Sequence, residues 1–439
     1  MSTLPPYKPT KFPLPAGATA TKELLKYVPQ MSLKERNRRW DQMRKYMRLA
    51  GYEALVFFGN DIYWGMGMAN MRYMFQVDAQ IGADAFFPLE GKPIIWHAVQ
   101  HMNRPTSPYL SIQEWVDDFR DRVGPRGIAD ELRRRGLDSA RIGLVGFSNS
   151  IQLSSYLHAD ITTMERELPN ATLIDVTPMI SYLRLVKSEE EIEMLRGAGR
   201  IARKVVDTMI EASRPGRTEA EVYADMIRTQ IASGGEPNVF NLFSSGPVEH
   251  PRNELWHLLH GSEQPITPTQ RPLALGDIVI SEFHTKYGGY RCHTEYTVYV
   301  GKEAPKELRR IWDVAVECLE ASKTAFAAGR TFREAWEIIR APADRAGIDY
   351  VELGYHAMGT ASPEFASAVY PPGFGRPNAN GTGIGDLILE EGMAFGNNID
   401  LHDSAWKPDV GCMLADFMIV RPNRAECLVN VPLELACTG

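Results

Sequence analysis

Cysteine is scarce in this chain, and its spacing is uninformative. Five cysteines occur in 439 residues, at positions 292, 318, 412, 427 and 437. None is in a CxxC pair and the number is odd, which argues against a disulfide framework and fits a reducing cytoplasm. Cys292 and Cys412 are expected to be small buried packing residues. The sequence also lacks an apolar run near 18 residues, so no membrane span is expected. It lacks an excess of positive charge: Lys plus Arg is 48, Asp plus Glu is 55, and the net charge is -7. With no basic tail or stripe, nucleic-acid binding is not expected. Residues 1–30 are rich in Pro, Lys and Thr and lack the apolar core of a signal peptide. They are expected to form an arm on the surface or on a partner subunit.

What remains is the composition of a globular protein, 44% hydrophobic and 23% charged. The length suggests two or three domains. Residues 31–185 alternate helical and strand patterns, which implies an α/β layer. Ser32-Leu-Lys-Glu35 reads as a capping box opening a helix through Leu49. Strands are expected at Gly51–Phe58, Ala85–Phe87, Pro93–Trp96 and Arg141–Val145, and helices at Arg126–Gly136 and Ser155–Leu168. Near Leu183 the character changes. A long amphipathic helix begins there, and Arg214-Pro-Gly-Arg-Thr218 leads to a second helix over Glu219–Ser233. Residues 186–439 then form a separate unit, with further helices near 306–328 and 331–346 and strands at the end.

The informative part of that unit is Ile278–Gly301. A buried strand follows Gly276-Asp277, turns at Gly288-Gly289, and returns as a second strand. Side chains two apart on a strand face the same side. Glu282 and His284 therefore share a face, as do His293 and Glu295. His284 taken singly could be a satisfied core histidine. Glu282, His284, His293, Glu295 and His356 taken together are too ionisable for a purely structural core, because buried charge is costly unless paired. Such a cluster marks a functional-site candidate.

The run from Leu183 to Ala202, the following Arg-Pro-Gly-Arg-Thr, and this hairpin together resemble the pita-bread family of aminopeptidases, prolidases and creatinases over residues 184–432. The resemblance implies an α/β N-terminal domain plus an α+β pita-bread C-terminal domain. In the metallopeptidases of that family five residues hold two metal ions. Carried onto this chain, those positions are Glu282, His293, His356, Asn398 and Ala415. Four of the five are changed and one has no ligand atom, so a two-metal cluster is not expected. Asp416 could replace Ala415 only if the register slipped, which would turn its side chain to the other face. No cofactor is expected. A single divalent metal on Glu282, His293 and His356 stays open as an alternative.

The resemblance to the metal-free creatinase branch rests on Glu295 in His293-Thr-Glu-Tyr-Thr297, at the place where creatinase binds the cationic group of its substrate. Asn398 stands where creatinase keeps a further glutamate, so creatine is not the expected substrate. Creatinase also carries its proton on a histidine ahead of the Gly-Asp turn. Here His260, His257 and His250 are candidates, in that order. Two irregular stretches complete the reading. Asn60–Met74, with Tyr63, Trp64 and Arg72, is expected to reach the pocket of a partner in a homodimer, with core packing as its plain alternative. Tyr370–Gly385 contains Arg376, a candidate for binding an anionic substrate group, and lacks the peptidases' loop histidine. The expected activity is metal-independent cleavage of a C–N, C–C or C–X bond in a small molecule, by His/Glu acid–base chemistry. A lyase that releases a small fragment is the alternative chemistry. A non-catalytic binding protein is the alternative class.

Overall fold

A computed structural model describes residues 27–60, 66–77, 82–97, 114–146, 158–237, 241–249, 268–348, 350–361, 364–365, 367–368, 384–407 and 410–439. The chain divides into two compact units, Met1–Arg184 and Leu185–Gly439.

The first unit is built on a six-stranded sheet of order β4-β3-β2-β1-β5-β6. Its strands are β1 Ala54–Gly59, β2 Ala83–Pro88, β3 Ile94–His97, β4 Phe119–Asp121, β5 Arg141–Val145 and β6 Thr172–Asp175. Val56, Phe58, Phe86, Trp96, Ile142 and Leu144 alternate onto one face and pack with Ile128, Leu132 and Met164. Those last three come from helices α3 Gly124–Arg134 and α4 His158–Glu167. The other face meets α1 Leu33–Ala50, whose Trp40 sits edge-on to Phe87 at 5.8 Å between ring centroids. Ser32 caps α1 by accepting the Glu35 N–H. The Glu35 carboxylate does not close the box; it binds Arg38 and Arg39 instead.

The stretch read as a pocket loop divides in two. Tyr63 and Trp64 lie outside the described residues. Ala69–Phe75 forms a helix, α2, whose Met71, Tyr73, Met74 and Phe75 are buried in this unit's core. Arg72 is half-buried on that helix. Core packing therefore accounts for the second half of the stretch. Its helical period was hidden because nearly every position is apolar or aromatic.

The second unit is a seven-stranded sheet of order β11-β10-β12-β13-β9-β8-β7, with two short strands, β14 Glu426–Cys427 and β15 Ala436–Cys437, pairing at its side. The main strands are β7 Asn241–Pro247, β8 Asp277–Tyr287, β9 Tyr290–Val300, β10 Tyr350–Ala357, β11 Ser367–Ala368, β12 Ala394–His402 and β13 Gly411–Ile419. Every pairing within the seven-strand order is antiparallel. Gly288 and Gly289 both take positive φ, the requirement of a two-residue type I′ hairpin turn, and this fixes the β8–β9 register.

One face of the sheet is covered by helices. After α5 Thr177–Leu185, these are α6 Glu189–Ala212, α7 Glu219–Ala232, α8 Lys306–Ala325 and α9 Phe332–Arg345. Ser188, Thr218 and Thr331 each form a complete capping box at the start of α6, α7 and α9. The covered face is anchored by Phe395, which stacks on Phe326 at 5.5 Å and meets Tyr355 edge-on at 5.7 Å. Cys292 and Cys412 are fully buried, and burial pushes both thiols well above the ordinary range. They are packing residues.

Candidate active site

The opposite face collects the ionisable side chains, because the register brings them into two rows. In the first row Glu282 on β8 pairs with Glu295 on β9, Glu295 with Ala415 on β13, and Ala415 with Asn398 on β12. In the second, His284 pairs with His293, while Gly396 pairs with His356 on β10. The side chains close the gaps. The Asn398 amide donates to Glu295 Oε1 at 2.6 Å. His293 Nε2 lies 3.3 Å from Oε1 of both Glu295 and Glu282. His284 Nε2 lies 2.9 Å from the same Glu282 oxygen. The His356 and His293 rings are 5.1 Å apart.

Gly396 makes this possible. A Cβ there would stand 2.6 Å from His293 Nδ1, so only glycine lets the ring lie over β12 beside His356. Glu295 and His293 are fully enclosed, whereas Glu282, Asn398 and His356 are 6–9% exposed and form the accessible front of the site. Nδ1 of His293, Nδ1 of His356 and Oδ1 of Asn398 are buried without a hydrogen-bond partner among the described residues. Such atoms are rare unless a site needs them.

The electrostatics follow from burial and pairing. Burial alone would raise the Glu282 carboxyl, but hydrogen bonds and positive charge from His284 and His293 outweigh it and hold the group below the ordinary range. Burial pushes His284 down to about 4 despite Glu282 beside it. Burial, aided by repulsion from His293, pushes His356 well below the ordinary value. Both imidazoles are therefore neutral at pH 7.

A stability prediction follows. The unfolded chain protonates these histidines near pH 6.5, before the folded chain does. Stability is then complete above that pH and is lost as pH falls toward about 4, the folded value for His284. Glu282, with its lowered value, acts in the same direction. Each histidine contributes a slope of about 1.4 kcal/mol per pH unit inside the window. Urea unfolding at pH 7.5, 6.5 and 5.5 should show the loss, and His356→Gln should show a shallower slope than wild type.

Two sequence expectations about position can be placed. Asp416 does point away from the site. Its carboxylate accepts the backbone N–H groups of Phe417, Val429 and Val431 at 2.7, 3.0 and 3.3 Å, and so fastens the chain after β14. The three metal-type donors that converge are Glu282, His284 and His293, within 4.8 Å of one another. His284 thus takes the place expected of His356. His250, His257, His260 and Arg376 lie outside the described residues. Sequence reading missed the Asn398–Glu295 contact, and with it the reason that both residues belong to one site.

The sequence model of metallopeptidase family M24 matches residues 193–422, just over half of the chain. The chain belongs to metallopeptidase family M24. A probable dipeptidase PepE of Mycobacterium bovis is 28% identical over 277 residues, covering 61% of this chain and 66% of that protein. The ectoine hydrolase of Halomonas elongata is 24% identical over 275 residues, covering 62% of this chain and 64% of that protein. The matched region thus spans slightly less than two-thirds of these relatives. Among solved structures, an X-Pro aminopeptidase of Thermotoga maritima superposes with a TM-score of 0.71 at 15% identity, over 91% of this chain and 99% of that one. That likeness shows the pita-bread fold.

Membership in this family makes a two-metal centre the arrangement to test against the donor set. It does not fit. Asn398 presents its amide N–H to Glu295, and an uncharged amide is a poor substitute for a carboxylate ligand. Ala415 has no donor atom, and its neighbour Asp416 is engaged on the other face.

Proposed function

We propose that this member of family M24 is a hydrolase of small molecules that cleaves a C–N bond by histidine/carboxylate acid–base chemistry, without paired metal ions, and is not a peptidase. The observation that carries the reading is the Asn398–Glu295 hydrogen bond, which spends two side chains of the ligand region on each other. The ectoine hydrolase among the relatives supports it, since by its name that protein acts on something other than a dipeptide.

The roles follow from accessibility. His356, neutral and with Nδ1 unpartnered, takes and returns the proton at the front of the site. Glu282, ionised and also at the front, balances the imidazolium that forms. Asn398 orients a polar group of the substrate through its unpartnered Oδ1. Glu295 and His293 stand behind them and hold Glu282 and Asn398 in place.

The test uses the purified full-length chain. Xaa-Pro dipeptides should remain intact with or without added Mn²⁺ or Co²⁺. A panel of small amides, ureas and cyclic amidines, followed by mass spectrometry, should contain a hydrolysed compound. Dipeptide turnover on the order of 1 s⁻¹, an ordinary enzyme rate, would overturn the reading. Release of an unsaturated product without uptake of water would move the chemistry to a lyase.

A further inference from the structure

We propose that Asp400 is a specificity-determining residue of this site, and that it holds a protonated amine of the substrate. The substrate class is then an amide whose cationic nitrogen lies one two-residue strand step from the C–N bond. The place of that bond rests on the proposed hydrolase reading, and the cation subsite is additional to it.

Placement comes first. Asn398, Asp400 and His402 alternate onto one face of β12. Asn398 shows which face, because its amide reaches Glu295 across Ala415. Asp400 is therefore on the site face, one step of roughly 6.5 Å beyond Asn398. Asn398 and His402 are each 8% exposed, and Asp400 is 2% exposed. The accessible front of the site thus continues along β12 to His402, with Asp400 recessed between. The end of the strand is held in place. Asp403 O accepts the Trp406 and Lys407 N–H groups at 3.0 Å, and the Asp403 carboxylate pairs with Arg310 of α8. A fixed strand end keeps the recess at a constant distance from Asn398.

Surroundings come second. Asp400 stands opposite Met413 of β13, and Met413 packs with Ile280 of β8 in a buried apolar cluster. Thr297 of β9, the register partner of Ile280, has its hydroxyl engaged with the Met413 backbone. It donates to Met413 O at 3.0 Å and accepts the Met413 N–H at 2.9 Å. In this row Asp400 brings the charge, while Met413 and Ile280 bring an apolar wall. A few methylenes that end in a cation match both, since small-molecule sites combine apolar lining with a few placed polar groups.

Charge comes third. Glu282 serves His284 and His293, at 2.9 and 3.3 Å, and Glu295 serves Asn398 and His293, at 2.6 and 3.3 Å. Asp400 stands one row beyond that network. On the hairpin the cationic side chains Lys286 and Arg291 lie opposite each other beside the turn, three rows from Asp400. The Asp400 end of the face is therefore its anionic end, and it draws cations. A protonated amine suits a recessed carboxylate better than a hydroxyl does, because charge-assisted hydrogen bonds are roughly twice as strong as neutral ones.

The experiment gives the full chain N-acetyl diamines, with two to five methylenes between the nitrogens, alongside their neutral N-alkyl acetamide isosteres. Three methylenes set the cation about 6 Å from the carbonyl carbon in an extended chain, and should be best. There kcat/KM should favour the cation by about 10- to 100-fold, the worth of a hydrogen bond to a charged group. Asp400→Asn should bring that ratio close to one. Asp400→Glu should keep the preference and move the optimum to two methylenes, because its carboxylate reaches further; a merely structural role would not move it. Titration calorimetry with 1,3-diaminopropane reads the subsite without turnover, and Asp400→Asn should weaken it tenfold or more. Circular dichroism checks that both variants fold; if either does not, the wild-type optimum decides, and no dependence on chain length would overturn the subsite. Hydrolysis without cation preference, or a preference that survives Asp400→Asn, would overturn the subsite and leave the hydrolase standing. Asp400-dependent binding of the diamine with no amide hydrolysed would support the subsite and count against the hydrolase. Neither hydrolysis nor diamine binding would overturn both.

Discussion

Replacing His356 with glutamine is expected to lower turnover of the hydrolysed panel compound by 10²–10⁴-fold, the range by which a positioned general acid–base group accelerates reactions. Glutamine keeps a polar side chain of similar reach and removes the titrating ring. Glu282→Gln should lose activity within the same range, because the imidazolium formed on His356 would lack its balancing charge. The two effects should not add. Both residues serve one proton transfer, and groups that act as a unit are strongly non-additive. The double variant should therefore lie within about tenfold of the weaker single variant. Steady-state kinetics on the four proteins checks this. Full activity in His356→Gln would move the proton to another group. Stability supplies the control, since removing a buried neutral histidine should flatten the acid limb of the unfolding curve and not lower the plateau at neutral pH.

The hairpin was legible because its rules are local. Period-2 alternation placed Glu282 with His284 and His293 with Glu295, and two glycines with positive φ set the register between the pairs. The same rule turned Asp416 away from the site. What lay hidden was the order of strands across the sheet. Asn398 meets Glu295 because β13 and β12 continue the sheet beyond β9, and Ala415, lying between them, has no side chain long enough to keep them apart. Nothing within reach of either residue in the sequence announces a contact across 103 positions. The helix Ala69–Phe75 was hidden for the opposite reason: too many of its residues are apolar for a face to stand out. Gly396 shows a third kind of blindness. In the sequence it is one glycine among 36, and only the ring of His293 lying over it gives it a role.

Lys187 gives the largest stability effect expected. Its ammonium lies 2.9 Å from Glu364 Oε2, with the two side chains 1% and 3% exposed. The other Glu364 oxygen accepts the Ala361 N–H at 3.0 Å, and the Glu364 N–H donates to Ala357 O at 2.6 Å. Lys187 also donates its own backbone N–H to Gly392 at 3.0 Å, just ahead of β12. The pair therefore ties the turn after His356 to the entry of the strand that carries Asn398. Gly359 allows this closeness, since a Cβ there would come within 2.9 Å of both side chains. Removing one partner takes the ion-pair partner away from a buried charge, so Glu364→Ala or Lys187→Met should each cost about 3–5 kcal/mol. Replacing both with apolar residues removes the charge along with its partner, and such exchanges are often neutral or stabilising. Lys187→Met combined with Glu364→Leu should accordingly recover most of the loss in urea unfolding. If the double variant is as unstable as either single one, the polar bonds that Glu364 makes to its own turn, and not the ion pair, hold this corner together.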